Sequence, residues 1–353
     1  MVFIILFIES FILSIFLVPI IKKIGIKFKL FDHIDKKRKK NYEEKVRIGG
    51  LGAFLSIIFS ISIFYLLKQY NLYSFDFELN YFLIFAISFY FFLGLLEDIV
   101  GITFFKRLLM QTIFGIFIWK FGCKVETINI LYPLSNNLIF ELNNFSSLIF
   151  SIFWFAGIVN AINWIDGLDG LAAGQSIIML LALSFVSIGN NFINESIIGI
   201  IIAGSFLGFL RYNWYPSSIL MGDGGSYLLG SSIAFMSLIS TSPNINQSDF
   251  FPISSNISLL VIFPILFIPL TDMILVILKR ILSGSSIFYP DRKHFHYFLL
   301  DKGLSHNYTV WINISFSLFF TSIGLAFYVK NFFIIMIPAI IIIYQLYKIN
   351  QKN

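Results

Sequence analysis

Residues 2–23 read VFIILFIESFILSIFLVPIIKK. Positions 2–21 are almost all apolar, and the run closes on Lys22 and Lys23. About 20 such residues suffice for a helix to cross a bilayer. No basic residue precedes the run and no small-residue cleavage site follows it, so it reads as a retained span rather than a signal peptide. Its positive flank lies on the C-terminal side, which predicts an outside N-terminus and an inside first loop.

The rest of the 353-residue chain extends that pattern: 58% of it is hydrophobic and 12% charged, with a mean hydropathy of +0.85. A soluble chain needs about 25% charged residues to cover its surface, so most of this surface must face lipid. The same figures exclude a disordered chain and a nucleic-acid-binding domain. The single cysteine, Cys123, excludes an intrachain disulfide and a cysteine zinc cluster. Ten further apolar runs lie near 48–67, 81–97, 107–122, 146–164, 170–188, 196–210, 225–241, 257–278, 308–328 and 331–348. They predict an all-α, polytopic membrane bundle of about eleven helices. It forms one multi-pass domain over 1–353, with its N-terminus outside and its C-terminus cytoplasmic. The runs from Ser196 and Gly225 are the weakest, being short and rich in Gly and Ser, although small residues also let helices pack closely in lipid. No internal repeat or interdomain linker is visible.

Charge tests this count. With the N-terminus outside, the cytoplasmic segments hold 21 of the 25 Lys and Arg residues. Eleven of these fall in loop 1 and its edges, from Lys22 to Arg47. The outside segments hold Lys68, Lys120, Lys124 and Lys330 alone. Such a bias is what positive-inside sorting produces.

Ionisable residues beside spans are costly and therefore candidates for function. Glu97 and Asp98 end the third run, where two carboxylates oppose the helix dipole; an ordinary polar helix terminus is the alternative. Lys106 and Arg107 follow and could meet a phosphate, or could be snorkelling interfacial cations. Asn163, Asp166 and Asp169 recur at a spacing of three, which would place them on neighbouring positions of one helical face. Gly167 and Gly170 let the backbone leave the helix there. Gly222-Asp223-Gly224-Gly225 opens the eighth run. A Gly-rich helix N-terminus presents N–H groups to an anion, which Asp223 would repel unless a cation stood between them. That pairing points to a metal bridging to phosphate, Mg²⁺ by its taste for oxygen ligands, or to a plain N-cap. Asp291-Arg292-Lys293-His294-Phe295-His296 makes a cationic patch suited to a pyrophosphate, or a solvated basic loop. Asp272 lies two helical turns before Lys279, a spacing that suits a structural ion pair. By the charge bias, all these segments share the cytoplasmic face. A transporter with acid-lined cavities is the competing class, but it does not account for acids gathered on one face.

Arg47-Ile48-Gly49-Gly50, Glu97-Asp98 with Gln111, Asn160 to Ala172, Met221 to Ser226, Pro269 to Asp272 and Tyr289 to His296 together resemble the polyprenyl-phosphate N-acetylhexosamine-1-phosphate transferases of the MraY/WecA superfamily. Two positions depart from that pattern: Glu97 replaces an Asp, and Tyr297 stands where a third His is common. The resemblance implies transfer of an N-acetylhexosamine 1-phosphate, N-acetylglucosamine above all, from its UDP donor to undecaprenyl or another polyprenyl phosphate. UMP would leave and a lipid-linked cell-envelope glycan would begin. A 6-deoxy sugar or the pentapeptide-bearing MraY substrate is the alternative; the His-x-His pattern and Asn213 to Pro216 favour the N-acetylhexosamine branch. Catalytic roles are implied for Asp98 and Glu97 at the lipid phosphate and for Asp166 and Asp169 at the nucleotide-sugar loop. Substrate contacts are implied for Asn163, His294, His296, Arg292, Lys106 and Arg107. Mg²⁺, with Mn²⁺ as the alternative ion, would sit on Asp223 with Asn163. The implied setting is the inner membrane with a cytoplasmic site, and there is room for a homodimer.

Overall fold

The computed structural model describes residues 1–32, 44–70, 80–121, 123–131, 134, 138–240, 253–286 and 291–350. Lys36 to Lys40 and Tyr289-Pro290, which entered the charge count and the motifs, lie outside them. The helices are α1 (Val2–Lys27), α2 (Gly49–Gln69), α3 (Tyr81–Val100), α4 (Phe104–Lys120), α5 (Asn144–Ile165), α6 (Leu171–Gly189), α7 (Ile193–Asn213), α8 (Gly222–Ile239), α9 (Leu259–Ile265), α10 (Phe267–Leu282), α11 (Phe295–Asp301), α12 (His306–Val329) and α13 (Met336–Asn350). A 3₁₀ turn, Phe332–Ile335, leads into α13.

Each of the eleven apolar runs becomes helix, but eight helices are long and apolar enough to cross a membrane, or nine if the bent pair α9–α10 counts as one span. The two that fall short do so for different reasons. α4 has only 17 residues. α8 is rich in Gly and Ser because it occupies the centre: every residue except Asp223 is buried, so it needs no lipid-compatible face. The opposite case is α1, which is apolar all round. It buries Leu6, Ser10, Ser14, Val18 and Ile21 and exposes Ile4, Ile8, Ile12, Phe16 and Ile20. Two apolar stripes on one helix require a core on one side and lipid on the other.

α9 and α10 meet at 74°. Pro269 accounts for the break. It has no N–H to donate to Ile265, so the ladder loses a bond at the joint, while Leu266 and Leu270 still donate to Ile262 and Leu266 on either side. At the end of the bundle away from α8's N-terminus, the chain forms a small sheet that the apolar pattern does not announce. β1 (Cys123–Asn129) pairs antiparallel with β2 (Ile139–Glu141) and parallel with β3 (Ile253–Ser258).

The helices alternate in direction, so the C-terminal ends of α1, α3, α5 and α7 meet the N-terminal ends of α2, α6 and α8. A backbone zipper draws the 45–50 segment onto α8. Leu220 N–H donates to Val46 O at 2.8 Å, Gly49 N–H to Leu220 O at 2.9 Å and Gly50 N–H to Met221 O at 2.8 Å. This approach depends on Gly50, where a Cβ would stand 2.5 Å from Gly225 N and 2.9 Å from Met221 O. Gly50→Val is expected to cost about 1–3 kcal/mol through overpacking and to lower the melting midpoint of the detergent-solubilised protein. Gly157→Ala, where a Cβ meets nothing within 4 Å, should leave the midpoint unchanged or raise it.

Candidate active site

The site grows from α8's N-terminus. Gly222 turns with φ of 76°, a conformation that costs glycine little, and its neighbours' N–H groups point at one carboxylate. Asp98, at the end of α3, accepts from Asp223 N at 2.8 Å and from Gly224 N at 2.9 Å. The anion that meets this helix N-terminus within the chain is Asp98, buried to 1% exposure. A cation of the chain, Arg47, lies between Asp98 and Asp223. Its Nε lies 2.8 Å from Asp98 Oδ1, its Nη2 2.6 Å from Asp223 Oδ2 and its Nη1 3.5 Å from Asp32 Oδ1. Burial disfavours the guanidinium charge, but Asp223, Asp98 and Asp32 outweigh it and raise the pKa of Arg47. Asp32 reaches the cluster because residues 30–32 pair with 45–47: Asp32 N–H donates to Lys45 O and Arg47 N–H to Leu30 O. On the other side of Asp223, Asn163 Nδ2 donates to its Oδ1 at 2.7 Å and to Ser226 Oγ at 3.0 Å.

Glu97 belongs to the same knot at one remove. Arg107 Nη1 stands 2.8 Å from its Oε1, and Tyr227 of α8 donates to its Oε2 at 2.7 Å. The longer side chain at this position therefore spans to α4 and α8, not to Asp223. Lys106 is exposed and takes no part in the knot.

The spacing of three does not hold Asn163, Asp166 and Asp169 on one face. α5 ends at Ile165, and Asp166 is its half-buried C-cap. The glycines then turn the chain: Gly170 has φ of 81° and donates to Asn213 Oδ1 at 3.0 Å. Asp169 faces away from Asp223. Its Oδ2 lies 3.3 Å from Lys45 Nζ and accepts from Ser217 N at 3.0 Å. Lys45 also donates to Ser217 Oγ at 2.9 Å, and His306 Nε2 stands 3.4 Å from the Asp169 carbonyl, with its ring stacked on Tyr215.

The histidine segment is not an exposed cationic patch. His294 is buried, and its Nδ1 lies 2.6 Å from Asp272 Oδ2. Phe295 N–H donates to Asp272 Oδ1 at 2.8 Å. Asp272 thus holds the start of α11 and not Lys279, which donates to the Lys293 carbonyl. The spacing argument failed because Lys279 is exposed whereas the segment after α10 folds back over Asp272. His296 is also buried and lies against Gly167, where any side chain would strike its Nε2. The histidine segment and the Asp166 turn therefore meet. Arg292 pairs with Asp301 at 2.9 Å, and Asp291 receives Arg280 at 3.0 and 3.1 Å. Four residues that the motif reading did not quote complete these clusters: Asp32, Lys45, Ser217 and Tyr227. Arg47 was quoted, in the motif Arg47-Ile48-Gly49-Gly50, but without a role at the site.

Among the described residues no three His, Cys, Asp or Glu side chains converge in a metal cage. Mg²⁺ rarely uses one: it takes one or two carboxylates and completes its shell with water and substrate phosphate. Asp223, partly exposed at 14%, offers the carboxylate such an ion needs, and the adjacent Asn163 would add its amide oxygen once Nδ2 no longer donates to Asp223.

Charge-paired carboxylates thus gather at one end of a membrane bundle. The chain belongs to glycosyl transferase family 4, whose family model matches residues 80–241. It is 30% identical over 308 residues to a Bacillus subtilis protein named probable undecaprenyl-phosphate N-acetylglucosaminyl 1-phosphate transferase, covering 87% of this chain and 79% of that one. A Mycobacterium leprae decaprenyl-phosphate N-acetylglucosaminephosphotransferase is 36% identical over 205 residues, 53% and 51% of the two chains. A Listeria monocytogenes phospho-N-acetylmuramoyl-pentapeptide-transferase is 30% identical over 245 residues, 66% and 74%.

Burial pushes the His296 pKa down to about 3, with His294, Arg292 and His306 adding to the effect and Asp272 opposing it. The folded ring is therefore neutral, and unfolding takes up a proton below about pH 6.5. The stability it contributes is present above that pH and lost as pH falls toward 3, by at most about 1.4 kcal/mol per pH unit. Melting curves between pH 7.5 and 5 should show a smaller acid-side fall for His296→Gln than for the unsubstituted protein.

Proposed function

We propose that the chain transfers N-acetylglucosamine 1-phosphate from its UDP donor to a polyprenyl phosphate and releases UMP. The observation that carries this is the Asp98–Arg47–Asp223–Asn163 knot at one end of a membrane bundle, in a family whose relatives are named for this reaction. Both partners are anions and one is confined to the bilayer. The site must therefore lie at the membrane surface and cancel their repulsion; positioning and charge neutralisation supply most of the catalysis in phosphoryl transfer.

Asp223 and Asn163 would hold Mg²⁺, which supplies charge neutralisation at the phosphoryl oxygens. Asp98 fixes Asp223 by receiving the first N–H groups of α8, which makes it a positioning residue in this arrangement. Arg107, oriented by Glu97, and Lys106 supply positive charge toward the lipid phosphate. A phosphate monoester is already ionised near neutral pH, so its direct attack on the β-phosphate of the donor needs little base assistance. Asp169, tied to Lys45 and Ser217, and Asp166 order the loop that receives the nucleotide sugar. His294 is braced by Asp272, and the neutral His296 contributes hydrogen bonding and shape, not charge; with Arg292 they border the diphosphate.

The end carrying the site is the cytoplasmic one. Lys22, Lys23, Lys27, Lys29, Lys45, Arg47, Lys106, Arg107, Arg211, Lys279, Arg280, Arg292, Lys293, Lys302 and Lys348 all gather there, as positive-inside sorting requires of an inner-membrane protein. Purified protein given polyprenyl phosphate, Mg²⁺ and a panel of UDP-sugars should release UMP fastest from UDP-N-acetylglucosamine. Asp223→Ala should lose about 10³-fold or more in rate, on the scale of removing a key electrostatic stabiliser, while still giving a folded, monodisperse preparation. Full activity in that variant removes the metal assignment. Absence of UMP with every sugar removes the reaction.

A further inference from the structure

Arg47 is anchored differently from the other cations of the site. Its backbone is fixed on both sides: its N–H donates to Leu30 O, and its carbonyl packs against Gly222 so closely that a Cβ there would collide with it. Its side chain instead lies across three carboxylates from three separate segments and stays 31% exposed. Both oxygens of Asp223 are already engaged by N–H donors, Oδ2 by Arg47 and Oδ1 by Asn163. A divalent cation on Asp223 would sit beside a fixed positive charge. The guanidinium uses a different nitrogen for each carboxylate: Nη2 on Asp223 at 2.6 Å, Nε on Asp98 at 2.8 Å and Nη1 on Asp32 at 3.5 Å. Giving up the Nη2 contact therefore does not require giving up Asp98.

We propose that Arg47 is the resident counter-cation of the Asp223 site: it occupies the carboxylate in the metal-free protein and yields it when a divalent cation arrives with a diphosphate, whose oxygens then receive the released guanidinium. This rests on the assignment of Asp223 to the metal. Two consequences follow from the geometry. The metal-free protein does not hold Asp98 and Asp223 as adjacent uncompensated charges, so α8's N-terminus keeps its shape without the ion. Metal and nucleotide also bind cooperatively, because each removes a cost that the other would otherwise meet; by linkage the coupling is reciprocal. The planar fork matters here, since one guanidinium reaches two carboxylates where an ammonium reaches one.

The test is Mn²⁺ binding to the full-length protein in detergent, read from the free-ion signal in electron paramagnetic resonance, with and without UDP. In the unsubstituted protein UDP is expected to tighten Mn²⁺ about tenfold or more, within the usual range of coupling. Arg47→Gln should bind Mn²⁺ about tenfold tighter without UDP, and UDP should then add less than about threefold. Arg47→Lys keeps the charge but loses the fork and should fall between the two. If Arg47→Gln matches the unsubstituted protein in affinity and coupling, the proposal is overturned. If Arg47→Lys matches it, net charge alone operates and the proposal is equally overturned. Arg47→Lys carries the test should Arg47→Gln fail to give a folded, monodisperse preparation. Asp223→Asn separates the two levels: unchanged Mn²⁺ binding in that variant refutes the metal assignment itself, whereas lost binding there with unmoved Arg47 variants refutes only the role of Arg47.

Discussion

Asp98 receives the first N–H groups of the central helix, and the rest of the site depends on that contact. Helix α8 is buried along its length, so its N-terminal donors cannot all turn to water. A carboxylate from α3 satisfies two of them and is itself desolvated by doing so. An isolated buried charge is untenable, and Arg47 makes it tenable. Arg47 in turn sits where it does because Gly49 and Gly50 let α2 begin in backbone contact with α8. One electrostatic requirement thus ties α2, α3 and α8 together at the membrane surface. Asp223 is left facing outward, the single residue of α8 that is not buried.

The same constraint explains why the polar clusters do not merge. Asp169 lies six residues beyond Asn163, yet it serves a different anchor, Lys45 and Ser217, which belong to the segments on either side of the zipper. Lys45 and Arg47 flank Val46 in one short stretch, yet their side chains reach different partners, Lys45 the Asp169 turn and Arg47 Asp223. The zipper therefore stands between the Asp223 knot and the Asp169 cluster.

The fold was largely legible because its signal is length and hydropathy, which survive in sequence without tertiary information. All eleven runs became helix. The span count was less secure: α4 is short, and α8 is central, so its Gly and Ser content reports helix packing and not exposure to lipid. The Gly222 turn was legible in outline: an anion and a cation were both required there. That Asp98 and Arg47 of the chain meet there was not, since Asp98 lies 125 residues from Asp223 and Arg47 lies 176 residues away. Local spacing misled twice, at Asn163 to Asp169 and at Asp272 to Lys279. In the first case two glycines ended the helix. In the second the helix ran on, but the chain beyond α10 returned a better partner, His294, to the buried carboxylate.

That return of the chain decides what the histidines can be. A cluster of His, Arg and Lys reads from sequence as positive charge. Folding divides it by burial: Arg292 stays out on Asp301, His294 is taken in against Asp272, and His296 is taken in against the glycine of the Asp166 turn with no hydrogen-bond partner for Nε2. A buried imidazole with no carboxylate of its own sheds its proton. The positive charge available to an anionic substrate near this turn therefore comes from arginine and lysine, while His296 offers a neutral ring nitrogen beside a backbone that has no side chain to shield it. A ring held this way can take part in a hydrogen bond but carries no charge with which to hold a phosphate.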